Sequence, residues 1–146
     1  MTSPFAETVI RARDTGDSRL ITQAIPYARM LGLTPAPADS GADFLVPAKR
    51  SNVGNPTLPA LHGGAIGGFM ELSAGVHLLM HMDTLKYPKI VDFSIDYVRA
   101  GKLLDTWISC EIVRQGRRLV NMGMVAWQAD PEQPIAKARA HFLLSD

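Results

Sequence analysis

The chain has 146 residues and a single cysteine, Cys110, so no internal disulfide can brace it, which fits a reducing, cytoplasmic compartment. Net charge is equally scant. Fifteen Lys and Arg against fourteen Asp and Glu leave a formal +1, which offers no bulk attraction to a nucleic acid. Residues 1–20 lack the apolar core of a secretory leader, because Arg11, Arg13, Asp14, Asp17 and Arg19 interrupt them. His77, His81 and His141 are too scattered to make a metal set, and no metal-ligand spacing stands out, so neither metal nor cofactor is expected. There is no internal repeat and no low-complexity segment. What is present is 47% hydrophobic and 20% charged residues, enough to fill the core of one domain and too apolar for disorder.

Residues 61–80, LHGGAIGGFMELSAGVHLLM, organise the rest. Glu71 is the one Asp, Glu, Lys or Arg among them. Such a stretch reads as a helix buried on most sides. Five glycines, His77 and Glu71 argue against a membrane span, as do the strand-like runs that follow. A lone carboxylate in a buried helix needs a reason, because burying an unpaired charge is costly. The glycine-rich start places free backbone N–H groups at a helix N-terminus, where they can bind an anion or polarise a carbonyl.

Before that helix, residues 1–24 read as a helical segment, and residues 25–146 as one domain. Ser3 can cap a first helix with Pro4 in its first turn. Residues 15–18 break it, and Asp17 or Ser18 can start a second short helix through Gln23. Around residues 25–33 the pattern is ambiguous: Pro26 discourages a helix running through it, and Tyr27, Met30 and Leu31 can form one helical turn before Gly32 stops it. Residues 33–38 read as an edge strand, residues 42–49 as its return, and residues 51–60 as a loop. After the helix, residues 81–88 connect to four β-like runs at 89–99, 103–113, 118–129 and 135–144. In the first run, Val91, Phe93, Ile95 and Tyr97 fall on an apolar face opposite Ile90, Asp92, Ser94 and Asp96. In the last, Ala136, Ala138, Ala140, Phe142 and Leu144 form the buried face, and Ile135, Lys137, Arg139, His141 and Leu143 the other. The whole reads as an α+β fold, an antiparallel sheet curled around one long helix, with sheet edges that invite a second copy.

Asn55 with LHGGAIGGFMELSAG, then VDFSIDYVRAG, then VRQGRRLVNMGMVAW, resembles the hotdog-fold acyl-CoA thioesterases of the phenylacetate-degradation type. IPYARMLGL resembles the segment leading that family into its first strand, so the resemblance runs from about residue 25 to the end. It implies a hotdog fold, a homodimer or tetramer, and metal-free hydrolysis of an acyl- or aryl-CoA thioester. It implies that the Gly64 N–H polarises the thioester carbonyl and that Glu71 of the facing subunit is general base or nucleophile. It implies further that Asn55 helps position water or substrate. One departure stands out: many members carry Ser or Thr two positions before the residue matching Asp92, and this chain has Ile90.

The spacing supports a shared site independently. Gly64 and Glu71 are seven residues apart, roughly 10 Å along a helix, whereas a reacting carbonyl needs donor and base each within about 3 Å. Two antiparallel copies can each lend a helix start to the other's carboxylate. Burial raises the pKa of Glu71, while helix-end amides or hydrogen bonds lower it, so the sequence leaves the sign open. CoA phosphates call for cations: Arg114, Arg117 and Arg118 cluster around Gly116, with Lys86, Lys89 and Arg99 as further candidates and Gly63 beside the carbonyl site. Phe69, Met70, Ser73 and His77 are candidates for an acyl pocket.

Other residues admit plainer roles. His62 can be a cap or loop hydrogen-bonder as well as an acid or base. Gly67 and Gly68 suit close packing, and Cys110 suits a strand in the core. The competing functions are a non-catalytic acyl-CoA-binding protein and a hotdog dehydratase or hydratase. The latter needs a differently placed His and acid pair.

Overall fold

The computed structural model describes residues 2–144. The first helix, α1 (Pro4–Thr15), begins where Ser3 Oγ accepts the Ala6 N–H at 3.1 Å and ends at Gly16, whose φ of 69° suits glycine. It is not a loose appendage. Ala6, Val9 and Ala12 are buried, and Arg13 reaches from it to the far end of the long helix described below. Next come α2 (Arg19–Ala24) and α3 (Pro26–Leu31), with Pro26 opening α3 and Gly32 (φ 89°) closing it.

The long helix, α4 (Gly63–His81), lies across a six-stranded antiparallel sheet. The strands are β1 (Thr34–Pro35), β2 (Phe44–Val46), β5 (Lys89–Tyr97), β6 (Thr106–Gln115), β7 (Leu119–Trp127) and β8 (Ala136–Leu143), in the order β1-β2-β6-β7-β8-β5. The proline-containing edge is shorter than its sequence suggests, two residues in β1 and three in β2. The expected loop at 51–60 contains a small second sheet, β3 (Val53–Asn55) paired with β4 (Ala60–Leu61), which delivers the chain to α4. Phe69, Met70, Val76 and Leu79 of α4 pack within one core that also holds Ile108, Met122, Ala140 and Phe142 of the sheet, all fully buried. On the opposite side α3 closes over α4: a Cβ on Gly68 would lie 3.0 Å from Leu31 Cδ1.

β8 follows its alternation, with Ala136, Ala138, Ala140 and Phe142 buried. Ile135 departs from it. It precedes the strand and is 3% exposed, close against Gly101. β5 departs more, because the register with β8 shifts between Ile90 and Asp92. That bulge re-phases the strand, so Ile90 joins Phe93 and Ile95 against the core while Val91 is 51% exposed. Tyr97, expected on the same face, is 53% exposed for a different reason: it lies over the start of α4. Among the described residues no helix is long and apolar enough to cross a membrane.

Candidate active site

Three elements pin the start of α4. His62 N–H donates to Asn52 O at 2.8 Å, Leu61 N–H to Gly101 O at 2.8 Å, and Tyr97 Oη to Gly63 O at 2.7 Å. Gly54 of β3 lies so close that a Cβ there would be 2.8 Å from His62 Cα, which leaves room for glycine alone. His62 is the N-cap: its Nδ1 accepts the Gly64 N–H at 2.9 Å, and its carbonyl takes the Ala65 and Ile66 N–H groups. Accepting at Nδ1 puts the ring proton on Nε2. The Gly64 donor is therefore engaged inside the chain. A carbonyl oxygen that is to take it must displace an exposed imidazole. Asn55 is exposed next to Gly54, with Oδ1 accepting the Thr57 N–H at 3.0 Å in its own turn.

Two turns further along, Glu71 is half-buried and has no hydrogen-bond or ion-pair partner among the described residues. Burial pushes its carboxyl above the ordinary range. Tyr87, from the connection between α4 and β5, reaches the same region. Its ring packs on Gly75, where a Cβ would lie 2.3 Å from the phenol oxygen. Gly75 is four residues after Glu71, on the same helix face. The Tyr87 hydroxyl is buried without a partner, and burial together with the Glu71 carboxylate pushes its pKa up. An unsatisfied buried hydroxyl costs about 1–3 kcal/mol, and this one lies close enough to the Glu71 carboxylate to feel its charge. The sequence reading passed over Tyr87 as part of a connection. The available signal was a glycine one turn beyond Glu71, opposite an aromatic residue.

Phe69, Met70 and Ser73 are wholly buried, and Ser73 Oγ has no partner. In the single chain they are core residues. His77 is half-buried beside Asp43 and Cys110. Ile90 brings no hydroxyl and packs on the core, while Asp92 faces the other side of the sheet and pairs with His141 Nδ1 at 3.2 Å.

The cations divide between the two ends of α4. Arg117 and Arg118, on the hairpin between β6 and β7, join Lys86 in lining a cavity of about 980 Å³ that also touches Thr2 and Ser3. Gly116 closes that hairpin, its N–H donating to Leu119 O at 2.8 Å. Arg114 is exposed on β6, and Lys89 is exposed at the start of β5. Among the described residues none of these cations meets a carboxylate. The cavity borders Met82, roughly 27 Å along the helix from Gly64. Arg99 stands near the Gly64 end, donating to Pro134 O at 2.6 Å beside the segment that holds Gly101. One chain thus spreads its helix start, its carboxylate and its main basic cavity over the length of α4.

A family model described as "Thioesterase superfamily" matches residues 58–135. No curated protein matches the chain. Among solved structures, a protein from Chromobacterium violaceum is 40% identical, with 96% of this chain and 98% of that one covered and a TM-score of 0.77. A Pseudomonas aeruginosa protein is 26% identical over 97% of this chain and 100% of that one, with a TM-score of 0.74. A Bacillus halodurans protein solved with CoA shares the fold at 17% identity, covering 95% and 89%, with a TM-score of 0.70.

Proposed function

From the premise that this chain belongs to the thioesterase superfamily, we propose that it hydrolyses an acyl- or aryl-CoA thioester to the free acid and CoA. The observation that carries this reading is the unpaired, half-buried Glu71, whose charge also reaches the unpartnered Tyr87 hydroxyl. Ionised Glu71 takes a proton from water as the water oxygen attacks the thioester carbon, or attacks that carbon directly to form an anhydride that water then hydrolyses to the free acid and Glu71. The Gly64 N–H of the facing subunit, released from His62, stabilises the oxyanion. The C–S bond then breaks and the thiolate of CoA is protonated. Tyr87 donates to the carboxylate or to the attacking water, a hydroxyl supplied to a site where Ile90 supplies none. Lys86, Arg117 and Arg118 bind the phosphates of CoA. The Bacillus halodurans relative, with CoA bound on the same fold, supports that ligand class.

Thiol release from a panel of acyl- and aryl-CoA esters tests the reading, with Glu71→Gln as control. Turnover that falls by about 10²–10⁴ in the variant supports it. Turnover that persists near the wild-type rate removes Glu71 from the mechanism. The second reading, a protein that binds acyl-CoA without hydrolysing it, is favoured by the Gly64 N–H being held by His62. Tight binding of every ester without thiol release would establish it.

A further inference from the structure

Asp43, His77 and Cys110 come from three separate parts of the chain and meet away from the Glu71–Tyr87 pair. Asp43 precedes β2, Cys110 lies on β6, and His77 is on α4. One carboxylate oxygen, one imidazole nitrogen and the thiol sulfur all lie within 4.8 Å of one another. Among the described residues no other group of three or more His, Cys, Asp or Glu side chains gathers in this way. The cluster is partly organised already. The Cys110 N–H donates to Asp43 Oδ2 at 2.7 Å, which anchors the carboxylate on β6. The Asp43 N–H donates to Ile108 O at 2.9 Å, which ties the backbone to the same strand. The His77 ring is stacked on His81 at 4.2 Å, and His81 Nδ1 lies 2.9 Å from His77 O, so one face of the imidazole is fixed. Asp43 is exposed while His77 and Cys110 are half-buried, so the cluster opens to solvent on the carboxylate side.

We propose that Asp43, His77 and Cys110 form a three-ligand site for a zinc-class divalent cation, with water in the fourth position. The donor set decides the class. Magnesium and calcium take oxygen ligands, whereas a thiol, an imidazole and a carboxylate together suit a borderline-soft tetrahedral ion. Bonds of about 2.3 Å to sulfur and 2.0 Å to nitrogen or oxygen put tetrahedral donors roughly 3.3–3.5 Å apart. The three donor atoms, all within 4.8 Å of one another, close on the ion by at most about 1.5 Å, and the Asp43 carboxylate, held through Oδ2 by the Cys110 N–H, has Oδ1 left for the cation. On binding, the thiol proton leaves to solvent as the sulfur–metal bond forms, and no electron is transferred. None of the three residues is used in the proposed hydrolysis, so the site stands or falls separately from it. A cation there would join α4 to the β2–β6 edge of the sheet.

Cobalt(II) is the probe, added to chelator-treated, tag-free full-length protein. One equivalent should bind with a thiolate charge-transfer band and the intense visible bands of a tetrahedral ion, both lost when zinc is added. Loss of an outer partner of a metal site already costs tenfold or more in affinity. Asp43→Asn should therefore weaken cobalt binding by more than tenfold, and Cys110→Ser should abolish the charge-transfer band. Circular dichroism confirms that each variant is folded, and Asp43→Asn, at an exposed position, serves if Cys110→Ser is not. Absence of binding by the wild type, binding without a thiolate band, or equal affinity in the folded Asp43→Asn protein overturns the proposal.

Discussion

Glu71 is harder to ionise in the folded protein than in the unfolded chain, because burial removes water and no cation replaces it. Between the ordinary carboxylate range and its raised value, the native state therefore holds more protons than the unfolded state. Stability falls as pH rises through that window. Glu71→Gln removes the dependence: its melting temperature should exceed the wild type's at pH 7–8 and converge with it near pH 4. A variant that melts lower at pH 8 would show that the carboxylate has a stabilising partner. In activity, the same shift moves the acid limb of kcat/KM above that of an ordinary glutamate. Tyr87→Phe separates packing from chemistry. It keeps the ring on Gly75 and removes a hydroxyl that the chain does not satisfy, so stability should be unchanged or rise by up to about 1 kcal/mol. Hydrolysis should nevertheless fall at least tenfold; unchanged turnover would make Tyr87 a packing residue. Glu71 was visible in the sequence as the one charge in an apolar helix. The direction of its shift and its phenolic neighbour depend on how a separate connection folds back, which spacing does not encode.

Elements announce their ends more clearly than their phase. Ser3, Pro4, Pro26 and Gly32 set helix boundaries through local chemistry, and each boundary is found where those residues stand. The β8 alternation was legible because every inward position is Ala or Phe. The β5 phase was not, because a bulge between Ile90 and Asp92 is fixed by pairing with β8. The tie between α1 and α4 is equally non-local. Arg13 donates from Nε to Leu79 O at 2.6 Å, from Nη2 to Thr84 O at 2.5 Å, and to Met82 O. These are carbonyls at or just past the C-terminus of α4, where a cation also meets the negative end of the helix dipole. Arg13→Met keeps much of the stem and removes the donors. It should destabilise the protein by about 2–3 kcal/mol in denaturant unfolding, in line with the loss of hydrogen bonds from a charged donor. A cost below about 0.5 kcal/mol would mean that water satisfies those carbonyls equally well.

At the scale of the molecule, the arrangement along α4 decides how many chains make a site. In the proposed mechanism the Gly64 donor and the Glu71 base are about 10 Å apart on one helix, too far to act on one carbonyl. β5 is a sheet edge, paired on one side with β8, and it carries Val91 and Tyr97 exposed. Joining two such edges antiparallel would set the two α4 helices antiparallel as well. Each helix start, and the Arg99 near it, would then face the other chain's carboxylate and its Arg117–Arg118 cavity. The consequence is testable without a ligand-bound structure. Gly64→Pro removes the donor at a first-turn position where proline is tolerated, and Glu71→Gln removes the base. Each homodimer should be inactive. In a mixture unfolded and refolded together, half of the dimers contain one chain of each kind. Such a dimer has one site built from the intact Gly64 of one chain and the intact Glu71 of the other. About a quarter of the wild-type activity should therefore return on mixing. If each site were made within one chain, every site would retain a defect and no activity would return.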